Sequence, residues 1–159
     1  MNIETRQWST AADLPELLRC VPAAVCGDQV YILKANNMYT CSESVLIQSC
    51  GSRVTAGHGV WGRVAAPPVT CTTCVSIHGR LLAIGGKDLT LNSTAAVYMY
   101  NPTVNSWEVI SHMTTPRHKC FAAVLPNNQL MVVGGWIDRS VLSMTDSVEF
   151  ATVEYSNSI

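Results

Sequence analysis

The sequence contains few charged residues. Only 13% of its 159 residues are Asp, Glu, Lys or Arg, whereas about 25% is typical of globular proteins. The formal net charge of -1 provides no basic field for the phosphates of a nucleic acid. Because 48% of the residues are hydrophobic, we expect the chain to bury much of its surface or to place it against neighbours.

Long apolar segments and amphipathic helices are also missing. No apolar run approaches the ~20 residues that a membrane-spanning helix requires. The start of the chain, MNIETRQWSTAADLPELL, lacks the basic segment and apolar core of a secretory signal. No segment keeps a 3.6-residue apolar period behind a helix cap. These absences favour a cytoplasmic protein with little helix and no membrane contact.

The sequence shows little evidence of metal or redox chemistry. Its seven cysteines are an odd number, which disfavours a disulfide framework. Cys71 and Cys74 form a single CxxC, whereas zinc sites generally use two such pairs or added histidines. Residues three apart on a strand also face opposite sides. We therefore expect reduced thiols, no metal and no cofactor.

Catalytic patterns are equally sparse. The segment Gly57–Gly62 spells GxGxxG, but RVAAPPVT follows it instead of the helix that a dinucleotide site requires. His118 and Cys120 can share one strand face, yet no third group that would orient them is visible. The carboxylates of Asp138, Asp146, Glu149 and Glu154 form no recognisable acid/base pair. The sequence predicts a non-catalytic protein.

The sequence contains a repeat of about 50 residues. The runs RLLAIGG and QLMVVGG place Gly85-Gly86 and Gly134-Gly135 49 residues apart. A third run, QVYILKA, lies about 51 residues before RLLAIGG and carries Lys34-Ala35 in place of the glycines. The spacings from Trp8 to Trp61 and from Trp61 to Trp107 are 53 and 46 residues. Such a period indicates a repeat architecture.

The repeated segments have the character of strands. Each run is short, rich in Val, Ile, Leu and Tyr, and bounded by Gly-Asp, His-Gly or Asn-Asn. Those dipeptides suit hairpin turns in which the backbone has positive φ. The sequence therefore predicts an all-β fold.

The spacing of glycine, tyrosine and tryptophan resembles that of the kelch repeat. Tyr100 follows Gly86 by fourteen residues, Trp107 follows Tyr100 by seven, and YNPTVNSW resembles the kelch pattern of Tyr, a polar turn and Trp. The resemblance implies β-propeller blades, each a four-stranded antiparallel sheet. In that reading, eight residues maintain the blades: Trp8, Trp61, Gly85, Gly86, Tyr100, Trp107, Gly134 and Gly135.

The material suffices for about three blades, which makes an incomplete ring, since propellers typically have about 4 to 8. The predicted repeats are about 15–61, 67–107 and 116–155, and residues 1–8, with Ile3–Trp8 as the strand itself, form a lone outer strand. Three alternatives remain: a fragment of a longer propeller, a diverged gene product, or half of a six-bladed ring formed by two self-associating chains.

The resemblance implies protein binding through loops at one end of the blades. A ubiquitin-ligase adaptor, with this chain recognising the substrate, is one such role; a remnant of a propeller enzyme, of the oxidase or sugar epimerase type, is the alternative. Arg117 has a second interpretation, as a brace between adjacent blades. The candidate residues are Arg19, Asn36, Lys87, Asp88, Arg117, His118, Trp136, Asp138 and Arg139.

Overall fold

The computed structural model describes residues 13–16, 21–34, 37–42, 44, 60–138 and 143–153. The element order within these residues consists of strands, which are short and contain many Val, Ile, Leu, Ala and Tyr residues. The strands are β1 (Ala23–Cys26), β2 (Gln29–Lys34), β3 (Asn37–Ser42), β4 (Gly62–Val64), β5 (Thr73–Ile77), β6 (Arg80–Ile84), β7 (Ala96–Asn101), β8 (Ser106–His112), β9 (Phe121–Val124), β10 (Gln129–Val133) and β11 (Val148–Thr152).

The strands form three antiparallel sheets that follow the chain in order. The first sheet contains β1 to β4 and the second contains β5 to β8. The third sheet contains β9 to β11 within the described residues. Each strand pairs with its neighbour in sequence, which confirms the prediction of an all-β chain built from repeated sheets. The proposed outer strand Ile3–Trp8 lies outside the described residues.

In the first and second sheets, a two-residue turn joins the first two strands. Gly27 has a φ of 63°, and His78 and Gly79 have φ values of 50° and 69°. Two consecutive residues with positive φ are typical of the hairpin turn whose twist matches that of the strands. The Gly-Asp and His-Gly dipeptides therefore occur where the sequence predicted hairpins.

The three sheets pack face to face. One core, between the first and second sheets, is centred on Leu33, Met38, Leu81 and Tyr100. The other joins the second and third sheets, and the first strands β1, β5 and β9 lie side by side. Nine buried residues form this second core: Val75, Ile77, Leu82, Ile84, Val97, Cys120, Ala122, Leu130 and Val132.

A tyrosine and a tryptophan of the second sheet tie it to the first. Trp107 Nε1 donates to the carbonyl oxygen of Ala65 at 2.8 Å. Asn105 Oδ1 accepts from the backbone N–H of Ala65 and from the hydroxyl of Tyr100, both at 2.8 Å. The rings of Tyr100 and Trp107 lie 5.2 Å apart between centroids. The repeated aromatic residues thus fix the chain that enters the second sheet, in addition to supplying apolar area.

Within the part of the chain that the structure describes, no helix has the length and apolar character needed to cross a membrane.

Candidate functional site

The glycine pairs mark the end of the sheets at which the candidate loops begin. Gly85 and Gly86 have φ values of 61° and 116°, and Gly134 and Gly135 have values of 60° and 100°. Glycine adopts this left-handed region without the steric cost that other residues incur. The chain therefore turns sharply out of β6 and β10 at equivalent places.

The glycines also allow backbone segments to approach closely. A Cβ on Gly85 would lie 2.3 Å from the carbonyl oxygen of Arg117, and one on Gly86 would lie 2.7 Å from that of Thr70. Real Cβ atoms do not approach backbone oxygens this closely. Gly86 instead donates its N–H to Arg117 O at 2.8 Å. The second and third sheets are thus joined backbone to backbone at this end.

Short bridges hold the loops that follow the glycines. In the second sheet, Lys87 pairs with Thr70 on one side and Ser93 on the other. In the third sheet, Trp136 occupies the same place between His118 and Met144. Lys87 and Trp136 are therefore equivalent positions on neighbouring sheets, at the end where each loop leaves its strand.

The loop 87–93 is held by internal hydrogen bonds and carries exposed leucines. Asp88 Oδ1 accepts hydrogen bonds from the N–H of Thr90 at 2.9 Å, the hydroxyl of Thr90 at 2.6 Å and the N–H of Asn92 at 3.0 Å. Leu89, at the tip, is 92% exposed, and Leu91 is exposed with a φ of 65°. A leucine in the left-handed region costs about 1–2 kcal/mol, which the hydrogen bonds of Asp88 offset.

His118 joins the two loops. Its Nδ1 lies 2.8 Å from Ser93 Oγ, and its backbone exchanges two hydrogen bonds of 2.9 Å with Trp136. Burial, together with the positive charges of Lys87 and Lys119, lowers the pKa of His118 below its ordinary value. The neutral imidazole therefore acts as a hydrogen-bonding link between the second and third sheets.

Arg117 is fully buried and braces the third sheet. Its Nη1 donates to the carbonyl oxygens of Gly134 at 3.0 Å and Ser147 at 3.1 Å. Its Nη2 donates to Ser147 Oγ at 2.9 Å and to Glu149 Oε1 at 2.5 Å. A guanidinium with no exposed surface is not available to a partner, so this placement corrects the assignment of Arg117 to the partner-facing set and favours its interpretation as a brace.

The carboxylate of Glu149 completes this brace. Its oxygens accept the backbone N–H groups of Thr114 at 2.7 Å and Thr115 at 3.0 Å. Burial alone raises the pKa of Glu149, but these N–H groups and the Arg117 guanidinium outweigh burial and lower it. Glu149 therefore links the chain between β8 and β9 to β11 of the third sheet.

The remaining candidates lie at different depths. Lys87, Asp88 and Trp136 are half-buried, and Asp138 is exposed, whereas His118 is buried. The structure brings Lys87, Asp88, His118 and Trp136 together at one end of the sheets. Arg19, Asn36, Arg139 and Trp8 lie outside the described residues, and Trp61 is half-buried beside the start of β4.

The thiols do not form a reactive group at this site. Burial raises the pKa of the Cys74 thiol to about 12 and also raises the pKa of Cys120. A protonated buried thiol is a poor nucleophile and a poor metal ligand. Among the described residues, no three histidine, cysteine or carboxylate side chains are grouped as a metal site requires.

Sequence reasoning missed the most exposed apolar residues of these loops, which are Leu89, Leu91, Ile137 and Met144. The segment KDLTLNST contained a pattern from which the exposure of its two leucines could have been predicted. Two leucines in a polar loop between strands, with an Asp positioned to accept backbone hydrogen bonds, are unusual for a segment that only connects strands.

The fold and loops define a chain of antiparallel blades, and comparisons with known proteins identify their type. Residues 68–114 match the Kelch motif. An F-box/kelch-repeat protein of Arabidopsis thaliana is 30% identical over 77 residues, which cover 47% of this chain. The match spans 20% of the length of that relative. Residues 68–114, which contain the second sheet, therefore match a kelch repeat, and the chain is similar in part to a kelch-repeat protein.

Proposed function

We propose that the chain is a non-catalytic protein-interaction module. Its binding surface consists of the loops that follow the glycine pairs of the second and third sheets, around Lys87, Asp88, Trp136 and Asp138. The observation that carries this proposal is the loop 87–93, in which a network of hydrogen bonds holds a leucine in nearly full contact with solvent.

The hydrogen bonds within the loop favour binding. Burying a leucine against a partner contributes about 1.5–3 kcal/mol. A loop that is already ordered loses less conformational entropy on association, and Asp88 orders this one through three hydrogen bonds. Leu89 and Leu91 therefore serve as preformed apolar anchors.

The neighbouring loop extends the same surface. Ile137 and Met144 are exposed, and Trp136 is half-buried and forms bridges to His118 and Met144. Aromatic residues and methionine are enriched at protein interfaces. Lys87 and Asp138 place charges of opposite sign beside the apolar side chains, an arrangement typical of a polar rim.

The finer role that we propose is substrate recognition within a cytoplasmic ubiquitin-ligase adaptor. The support is the kelch repeat at residues 68–114 and the similarity to a protein that is named for both an F-box and kelch repeats. In that role the partner is the protein to be ubiquitinated, and the adaptor function belongs to another domain or to another chain.

The test compares proteins captured by the wild-type chain and by two variants from extracts of the cells that encode it. Leu89→Glu places a charge at the proposed anchor and should remove a reproducible set of captured proteins. Val104→Glu is the matched control, because Val104 is also exposed but lies in the turn between β7 and β8 at the opposite end of the same sheet. Equal capture by all three chains would contradict the proposed surface.

A further inference from the structure

The two junctions between the sheets differ at one pair of positions. Between the second and third sheets, Gly85 follows β6 and faces Arg117. Between the first and second sheets, Lys34 ends β2 at the place of Gly85. Val69 takes the place of Arg117, because each comes directly before the residue that bridges to Lys87 or to Trp136.

This exchange prevents the first junction from closing as the second one does. Glycine is required where a Cβ would lie 2.3 Å from a backbone oxygen, and Lys34 has a Cβ. Val69 has no guanidinium that could hydrogen-bond within its own sheet, as that of Arg117 does within the third sheet. The glycine that permits the close backbone approach and the arginine that forms the brace are therefore both replaced, by Lys34 and Val69.

A cavity lies beside these two replaced positions. It has a volume of about 580 Å³ and is lined by both exchanged residues, Lys34 and Val69. Ligand pockets typically measure about 300–1,000 Å³. The cavity is thus large enough for a small molecule or for the end of a peptide.

The lining combines apolar walls with positive charge. Val21, Pro22, Leu33 and Val69 form its apolar part. Lys34, Lys119 and the segment Thr70–Thr73 supply ammonium, hydroxyl and thiol groups, and no carboxylate is among the described residues that line the cavity. This composition suits a ligand that has an apolar body and a negative group.

The two lysines are not equivalent. Lys34 Nζ lies 2.5 Å from Glu16 Oε2, so its charge is compensated. Glu16 is itself held by Lys34, Tyr39 and Asn37, whose hydrogen bonds lower its pKa to about 2. Lys119 is exposed and forms no ion pair with any residue in the described ranges. One uncompensated ammonium matches one negative charge better than the two charges of a phosphate monoester.

We propose that this cavity binds a carboxylate attached to an apolar body. The carboxylate pairs with Lys119 and lies beside the hydroxyl groups of Thr70–Thr73, while the apolar part packs against Leu33 and Val69. The same chemistry is offered by a free aliphatic or aromatic acid and by the C-terminal residue of a peptide. The cavity is separate from the loop 87–93, so the inference does not depend on the proposed protein-binding surface.

The first experiment titrates the 159-residue chain with phenylbutyrate and with its neutral analogue phenylbutanol, following the methyl NMR signals of Leu33 and Val69. Phenylbutyrate should bind saturably with a dissociation constant of about 1 mM or below. Phenylbutanol should bind at least about tenfold more weakly, because it lacks the charge-assisted contact. Absence of saturable binding, or equal binding of acid and alcohol, would overturn the proposal.

A second arm distinguishes the two sources of the carboxylate. Acetyl-Leu-Leu with a free C-terminal carboxylate is compared with the same peptide as its amide. Tighter binding of the free peptide acid than of phenylbutyrate identifies a protein C-terminus as the ligand, whereas binding of phenylbutyrate alone identifies a small acid. Either result supports the site, and failure of both acids refutes it.

Substitutions then locate the contact. Lys119→Gln should weaken acid binding by about tenfold, since a hydrogen bond to a charged group contributes about 1.5–3 kcal/mol. Arg80→Gln removes the same charge from an exposed residue at the other end of the second sheet and should leave binding unchanged. Equal effects of the two substitutions would show that the acid responds only to net charge, which contradicts a site at Lys119.

Discussion

Arg117 shows how a single side chain holds one sheet together. It is the largest fully buried side chain of the described part of the chain, and it ties the segment before β9 to Gly134, Ser147 and Glu149. Burying a charge is costly unless it is paired and hydrogen-bonded. Arg117 meets that condition, so the loss of either member of the pair should be destabilising.

Arg117→Ala should lower the free energy of unfolding by about 3 kcal/mol, because it leaves Glu149 and two backbone carbonyls without their partner. Urea unfolding followed by tryptophan fluorescence measures the change. Arg80→Ala, at an exposed position, serves as the control and should change stability by less than about 0.5 kcal/mol. A loss below about 1 kcal/mol for Arg117→Ala would contradict the proposed role as a brace.

Glu149 should make stability depend on acid pH. Its pKa is lower in the folded chain than the ordinary value of 4.5, so its stabilising contribution is fully present above that value. The contribution is lost as the pH falls through the lowered pKa, because the unfolded chain takes up the proton first.

In urea unfolding at a series of pH values, the wild-type chain should therefore lose stability more steeply than Glu149→Gln as the pH falls below the ordinary pKa of 4.5. The variant is less stable at neutral pH, but it lacks this titration. Parallel pH profiles for the two chains would show that Glu149 does not hold the charge-assisted contacts described above.

At the scale of strands and loops, the sequence predicted the sheets but not which of the side chains are buried. The strands and turns follow from local patterns: apolar runs of four to seven residues end at dipeptides that accept positive φ. The burial of Arg117 does not follow from such patterns, because an arginine after Pro116 fits a brace and a partner contact equally well. Whether Arg117 is buried depends on Ser147 and Glu149, which lie 30 and 32 residues away in the sequence.

The loop residues illustrate the same limit. The sequence predicted that 87–94 connects two strands at the partner-facing end, but the exposure of Leu89 depends on the turn that Asp88 stabilises. The cavity at the first junction likewise depends on how two sheets pack, which local sequence patterns do not specify. The departure of Lys34-Ala35 from Gly-Gly was visible in the sequence, whereas the position of Lys34 and Val69 beside one cavity depends on the packing of two sheets.

A comparison of Gly85 with Gly134 separates the cost of close backbone approach from the cost of a positive φ. Gly85 and Gly134 have φ values of 61° and 60°, so alanine meets the same conformational penalty of roughly 1 kcal/mol at both positions. A Cβ at Gly85 would lie 2.3 Å from Arg117 O, whereas one at Gly134 would meet its nearest atom at 3.4 Å.

Gly85→Ala should consequently cost about 1–3 kcal/mol more than Gly134→Ala in urea unfolding. The difference between the two variants measures the backbone contact between the second and third sheets. Equal losses would indicate that the junction can separate at little cost, and the distinction between the two sheet junctions would then lose its physical basis.

At the scale of the whole molecule, the third sheet exposes the face that the second sheet uses for packing. Val97 and Met99 of β7 contribute to the core against the third sheet. Their equivalents on β11, Val148 and Phe150, are exposed, as is Phe121 on β9. Met131 and Val133 pair with these residues in register, so all five belong to one sheet face.

An exposed apolar face of this kind is uncommon in soluble monomers. We therefore predict that the 159-residue chain self-associates through this face, with a ring of six sheets from two chains as the ordered outcome. The weight-average mass from sedimentation velocity should rise with concentration in the micromolar range. Phe121→Lys combined with Phe150→Lys should shift this association to at least tenfold higher concentration, because two burial contributions of about 1.5–3 kcal/mol each are lost.

Val104→Lys is the matched control for this prediction, because Val104 is comparably exposed, at 65% against 63% for Phe121. It lies in the turn between β7 and β8, away from the face of the third sheet. The control should associate as the wild-type chain does. A wild-type chain that stays a compact, cooperatively unfolding monomer at all concentrations would refute the prediction, and so would identical behaviour of the double variant and the control. In the first case the exposed face tolerates water, and in the second another surface drives association.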